Sequence, residues 1–362
     1  MRSYHSAYGN PSRRKAKKRR RRINTAVVFF LLFAIGLSAF LAYDIFLRPN
    51  VWVATGEKGE VFIPTGSTYE QARQILFEKG LIERRKDFER AAHWLKLGDQ
   101  IKPGHYVIEQ GMDNFSLIRL LKSGNQEPIQ LTFNNIRDIP QLAGRVSAQI
   151  EADSVSLVEL LSDSAFLAQI GYNRYTIPAL FIPNTYEFWW TTNAREFVSR
   201  MLSENARFWT DDRLARANAV GLSKTEVSVL ASIVEKETNK DSEKPAIAGV
   251  YLNRLRGGWR LQADPTLVFA AGDFEIRRVL DIHKTIESPY NTYMYPGLPP
   301  GPICIPSIAS IEAVLSPDKH YYYYFCAKDD MSGYHVFASS YAEHEINAWR
   351  FRQALNRLNI RK

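Results

Sequence analysis

The hydrophobic and polar positions separate the chain into stretches of different period. Residues 23–43 contain no charged side chain, and Asp44 and Arg48 close the run. At 1.5 Å per residue such a helix is about 31 Å long, close to the ~30 Å hydrocarbon thickness of a bilayer. A core helix is not expected to go uncharged for 21 residues. A cleaved signal peptide would carry a shorter apolar run and a small-residue cleavage site. The pattern therefore predicts one membrane-spanning helix at 23–43.

Residues 51–127 carry two strand–turn–helix patterns. Glu60-Val61-Phe62-Ile63-Pro64 reads as a strand and Thr65-Gly66 as a turn. Ser67 and Glu70 have the spacing of a capping box, opening a helix that runs to about Glu78 and stops at Gly80. His105-Tyr106-Val107-Ile108 is a second strand, and Asp113 caps a helix through Leu117, Ile118, Leu120 and Leu121 that Gly124 ends. This is one small α+β domain, either a packing scaffold or a ligand-binding module. From Pro128 a strand (Ile129, Leu131, Phe133) leads into a larger mixed α+β domain, mostly helical over 138–220. Pro178 and Pro183 exclude a long helix at 177–190. The five aromatics there suit either a core strand or a surface on which sugar rings stack.

The segment from Lys224 to Asn239 has the period of a buried helix. Val227, Leu230 and Val234 form one face, widened by Val229 and Ile233. The remaining stripe is Ser228, Ala231, Ser232 and Glu235, whose small side chains let something approach. A carboxyl held at the end of such a stripe is expected to have a raised pKa and to serve as a general acid. Glu237 is the rival, but two residues along a helix rotate by about 200°, so the two carboxyls do not share one site. The structural alternative is an ion pair of Glu235 with Lys236 or Arg254. Residues 250–255 continue as helix, and 261–266 read as a polar turn. Residues 288–306 form a Pro- and Gly-rich loop suited to a cleft wall. A strand at 321–325 and a segment at 333–337 follow.

Composition changes the picture only in part. Apolar residues are 45% and charged residues 23%, which excludes a largely disordered chain. The net charge of +9 is a property of the tail. Residues 1–22 carry ten Lys/Arg and no Asp/Glu, leaving 37 basic against 38 acidic residues elsewhere. The body has no polyanion-binding excess, so no nucleic-acid partner is expected. The basic arm places the N-terminus in the cytoplasm and the body outside. Two cysteines exclude a disulfide scaffold and a cysteine-rich zinc protein. Cys304 and Cys326 read as structural, with their pairing left open. The seven histidines are scattered, and His335 and His344 read as structural. No HExxH, P-loop or dinucleotide fingerprint occurs, so neither a metal nor a cofactor is expected.

Five segments in order carry a family resemblance. They are Leu230-Ala231-Ser232-Ile233-Val234-Glu235-Lys236-Glu237-Thr238, Asn253-Arg254-Leu255, Leu261-Gln262-x-Asp264-Pro265-Thr266, Tyr290-Asn291-Thr292-Tyr293 and Gly297-Leu298-Pro299-Pro300-Gly301-Pro302-Ile303. Together, behind an N-terminal anchor, they resemble the endolytic murein transglycosylases of the MltG (YceG-like) family. Phe181-Ile182-Pro183-Asn184-Thr185-Tyr186 is similar to the family's F-x-P-D-T-Y stretch, with Asn184 in place of the common Asp. The resemblance covers roughly 60–362 and implies a LysM-like subdomain (51–127) and a transglycosylase catalytic domain (128–362), behind the basic cytoplasmic arm (1–22) and the transmembrane helix (23–43) read above. It implies Glu235 as the catalytic glutamate. Asn184, Tyr186, Glu237, Gln262, Asp264, Tyr290, Asn291 and Tyr293 are implied around the substrate. The implied reaction cuts the MurNAc–GlcNAc β-1,4 bond inside peptidoglycan glycan strands, leaves a 1,6-anhydro-MurNAc end and ends strand elongation. The implied setting is a single-pass inner-membrane protein with an extracytoplasmic catalytic domain, beside peptidoglycan synthases. Two other readings stand against it: a hydrolase with Asp264 or Glu187 as second carboxylate, and a wall-binding anchor without activity.

Overall fold

The computed structural model describes residues 11–357 except Thr55, Glu57 and Arg277. Residues 1–10 of the basic arm lie outside the described residues. The chain divides into two compact units, Met1–Glu127 and Pro128–Lys362.

In the first unit, helix α1 (Pro11–Ala42) takes in both the basic run and the apolar run as one element. Its large apolar side chains from Ile23 to Leu41 are exposed. Among the described residues, Lys18–Leu47 is the one helical stretch long and apolar enough to cross a membrane. A π-helical turn, Tyr43–Leu47, joins α1 to the small domain. There the Asp44 carboxylate accepts from Arg48 (2.8 Å) and Arg84 (3.2 Å), and Asn114 Nδ2 donates to the Ile45 carbonyl (2.7 Å).

The small domain runs β1 (Gly59–Ile63), α2 (Tyr69–Glu78), α3 (Arg85–Trp94), β2 (Gly104–Ile108) and α4 (Asn114–Ser123). β1 and β2 pair antiparallel, with Val61 opposite Tyr106. Val61, Ile63, Leu76, Phe88, Tyr106, Ile108, Leu117 and Leu121 fill its core. α4 follows the sequence closely: Asp113 accepts from Ser116 N (2.7 Å), and Gly124 ends the helix at φ +73°. The capping box of α2 sits one residue later than expected, on Thr68 and Gln71. Helix α3 was not expected. Half of its ten residues are charged, and only Phe88, Ala91 and Ala92 reach the core.

The second unit holds two cores. One lies under the antiparallel pair β3 (Ile129–Phe133) and β4 (Asn184–Phe188). It also takes in α5 (Ile139–Ser147), α6 (Ser154–Ser162), α7 (Ser164–Gln169) and α8 (Ala194–Phe208). Residues 177–190 thus resolve in favour of a core strand on one face: Phe181, Tyr186 and Phe188 are buried, while Trp189 is exposed. The other core surrounds α10 (Lys224–Glu237). Its neighbours are α9 (Asp211–Val220), α11 (Lys244–Arg256), α12 (Asp264–Ala271) and α13 (Ile308–Leu315). The expected polar turn at 261–266 is a turn only as far as Ala263. Asp264 opens α12, with Pro265 in the first turn, where its missing N–H costs nothing. The antiparallel pair β5 (Tyr324–Ala327) and β6 (His335–Ala338) carries α14 (Tyr341–Arg357). Cys304 and Cys326 are both free.

Candidate active site

Helix α10 starts on a reciprocal capping box: Ser223 Oγ accepts from Glu226 N (3.3 Å), and Glu226 accepts from Ser223 N (2.8 Å). Val227, Leu230, Ile233 and Val234 are buried, which fixes the rotation of everything after them. The small-residue stripe is occupied by the chain's own loop. Ser232 Oγ donates to Val229 O (2.7 Å) and accepts from Ile303 N (2.9 Å), and Cys304 Sγ lies 3.6 Å from Ser232 O. The stripe therefore seats the Pro- and Gly-rich segment against the helix.

Glu235 and Glu237 point apart, as helical rotation requires, into very different surroundings. Glu235 Oε2 accepts from Ser307 Oγ (2.5 Å), Ser310 Oγ and Lys244 Nζ (3.2 Å). Burial alone would raise this carboxyl, but the two hydroxyls and the ammonium hold it below the ordinary glutamate value. This reverses the raised pKa expected for Glu235. The ion pair is with Lys244, not with Lys236 or Arg254. Arg254 instead donates from Nε to Tyr323 O (2.7 Å) and from Nη1 to Leu261 O (2.5 Å).

Glu237 carries the property expected of Glu235. It is the last residue of α10, and Tyr251 Oη donates to its Oε1. Burial pushes its carboxyl up to about 7, and the nearby Asp264 charge adds to this against the Tyr251 hydrogen bond and Arg254. A cleft of about 710 Å³ opens here, lined by Glu237, Lys236, Asp264, Pro265, Phe269 and Ile303 among others.

Behind the Asp264 side of the cleft two loops are locked together. Thr292 Oγ1 accepts from Ala263 N (3.0 Å) and shares a hydrogen bond with Thr266 Oγ1 (2.8 Å), so residues 290–293 are fixed to the start of α12. This brings Tyr293 Oη to donate to Asp264 Oδ1 (2.5 Å). Burial and the adjacent Asp264 carboxylate raise the Tyr293 hydroxyl well above the ordinary tyrosine value, so it stays a donor. Asn291 is fully buried. Its amide donates to Lys284 O (3.0 Å) and Ile286 O (2.8 Å), and its oxygen accepts from Tyr293 N (2.9 Å) and Met294 N (3.2 Å). Tyr290 packs 4.6 Å from Phe269, behind the cleft wall. Gly301 closes the same corner: a Cβ there would stand 1.9 Å from Tyr175 O.

The structure thus brings Glu237, Asp264 and Tyr293 together and puts Tyr290 and Asn291 behind them as support. Gln262 is exposed, and its φ of +47° turns the chain into α12. Asn184 and Tyr186 do not line the cleft. Asn184 is exposed on β4, and Tyr186 is a core side chain whose hydroxyl donates to Ile182 O (2.6 Å). Glu187 faces solvent, accepts from Gln130 (3.1 Å) and lines a separate hollow. His335 Nδ1 lies 3.0 Å from Glu243 Oε2. Tyr251, Lys244, Ser307 and Ser310 were not singled out from the sequence. Their partners are nine to seventy-five residues away, and no periodicity links them. Among the described residues no group of three His, Cys, Asp or Glu is placed to hold a metal ion.

Comparison with known proteins gives concordant matches. The model of the YceG-like family matches residues 61–350. An endolytic murein transglycosylase of Bacillus subtilis is 29% identical over 297 residues, covering 78% of this chain and 81% of the relative. One from Streptococcus pneumoniae D39 is 25% identical over 359 residues, covering 90% of this chain and 65% of the relative, so the chain spans about two thirds of that protein. The crystal structure of a YceG-like protein from Listeria monocytogenes superposes with a TM-score of 0.54 at 26% identity, covering 81% of this chain and 99% of that one.

Proposed function

The chain belongs to the YceG-like family, and from that premise we propose that it is a membrane-anchored endolytic lytic transglycosylase of peptidoglycan. In this reading it cuts the MurNAc–GlcNAc β-1,4 bond inside a glycan strand. It leaves a 1,6-anhydro-MurNAc end and so stops strand growth beside the synthases that make the strand. The names of its relatives support the reaction class. The observation that carries the mechanism is Glu237, a carboxyl pushed up to about 7 in a cleft it shares with Asp264.

Glu237 is protonated in a large fraction of molecules near neutrality and gives its proton to the leaving glycosidic oxygen. Positive charge then develops at the anomeric carbon. Asp264, held as an acceptor by Tyr293, faces that charge. The 6-hydroxyl of the same sugar closes on the anomeric carbon, and the Glu237 carboxylate takes its proton. No water enters, and the intramolecular attack gains from proximity. Glu235 serves in this account as a clamp of α10 to α11 and α13, and does not meet substrate. The basic flank of α1 sets the N-terminus inside the cytoplasm. The domain of β1, β2 and α2–α4 is a LysM-like module that engages glycan without cutting it.

The mass of the new ends tests the reaction. Digestion of purified glycan strands is expected to leave ends lighter by one water than hydrolytic ends. Ends that had gained a water would instead assign Asp264 as the base of a hydrolase, since it is the second carboxylate in the cleft.

A further inference from the structure

The cleft beside Glu237 presents two cations that its own carboxyls do not engage. Lys236 and Arg137 line it, beside Glu237 and Asp264. Lys236 follows Glu235 on α10, and helical rotation sends it to the rim of the cleft, where it is exposed. Among the described residues its ammonium has no hydrogen-bond or ion-pair partner. Arg137, which also lines the cleft, is held in place. Its guanidinium stacks on Phe274 at 4.3 Å, and Nε donates to Asp138 Oδ2 (2.8 Å). That leaves its two terminal nitrogens without a partner among the described residues. A stacked, planar fork of this kind suits a carboxylate. Neither cation neutralises the two cleft carboxyls: Glu237 is bonded to Tyr251, and Asp264 to Tyr293.

We infer that Lys236 and Arg137 form a carboxylate subsite, which binds an acidic group carried on the lactyl ether of a muramyl residue next to the scissile bond. The inference rests on the proposed reaction and adds its substrate class: strands with an anionic substituent at the cleft. Two sources share this chemistry. One is an acidic residue of a peptide stem, and the other is the free lactyl carboxylate of a stripped strand.

The test uses the full-length protein in detergent and three strand preparations. One keeps its peptide stems, one is stripped by an amidase, and one is stripped and then has its lactyl carboxyls capped as neutral methylamides. Cleavage of the neutral strand should have a KM about fivefold to tenfold higher than the best charged strand, as two partly exposed charge contacts would produce. The ratio should shrink at about 0.5 M salt, where such contacts are screened. It should fall toward one in Lys236→Met and return in Lys236→Arg. Preference for the stem-bearing strand alone assigns the peptide carboxylate, and preference for the stripped strand assigns the lactyl group. Equal KM values for all three strands would overturn the inference. Binding of the same strands to Glu237→Gln is measured in parallel. If wild type cleaved none of them, the proposed reaction would fail while the charge preference could still be read from binding.

Discussion

Two glutamates two positions apart on one helix have their carboxyls shifted in opposite directions, and the neighbours decide which way. Glu235 meets two serine hydroxyls and an ammonium, each of which favours the charged form. Glu237 meets one hydroxyl, loses solvation on the cleft floor and lies near a carboxylate, so the neutral form gains. The sign for activity follows. In the proposed reaction cleavage needs protonated Glu237, so kcat/KM should fall as pH rises through about 7. Tyr251→Phe removes the one hydrogen bond that favours the carboxylate, and should move that alkaline limb upward. Rate profiles of the two proteins check this. An alkaline limb that stayed fixed in Tyr251→Phe would mean that another group sets it.

Helix α10 links the residue scale to the element scale, because its small-residue stripe is a seat for the segment that walls the cleft. Ser232→Leu would push Ile303 and Cys304 off the helix. Overpacking of this kind costs roughly 1–3 kcal/mol, and it should lower cleavage more than it lowers the melting temperature of the small domain. A Ser232→Leu protein with normal stability and normal cleavage would mean that the contact has no role. The start of α10, its buried face and the opposed directions of its two glutamates were legible in the sequence. They depend on capping and on the 3.6-residue period, both local. The ends of α4 were legible for the same reason. The stripe was legible as a place of close approach, but not its occupant, because Ile303 is 71 residues away. The raised pKa expected for Glu235 rested on apolar neighbours within one turn, whereas Lys244, Ser307 and Ser310, which lower it, come from other elements. Helix α3 escaped notice because so few of its side chains reach the core. Tyr186 read as a sugar contact from its motif, while its alternation with Phe188 on β4 places it in the core.

At the scale of the whole molecule the chain joins a membrane-length helix to a folded body with almost no net charge. The end of that helix is fastened to the small domain through Asp44, Arg84 and Asn114. With ten basic residues before the apolar run, a periplasmic reporter fused after Lys362 should be active and a cytoplasmic one silent. Activity of the cytoplasmic reporter would reverse the topology and remove the body from the compartment of its proposed substrate.

The central claim is that Glu237 is the proton donor and Glu235 a structural clamp, and the most direct measurement compares Glu237→Gln with Glu235→Gln in cleavage of purified glycan strands. Glu237→Gln keeps the shape of the side chain and should stay folded and bind strands. It should lose at least about 10²–10⁴ in rate, the usual worth of general acid catalysis, since the same group also acts as base. Glu235→Gln should retain more cleavage and lose stability instead, by roughly 1–3 kcal/mol, as its hydrogen bonds to a charged carboxylate are weakened. Near-normal cleavage by Glu237→Gln, with cleavage abolished in a folded Glu235→Gln protein, would contradict the account.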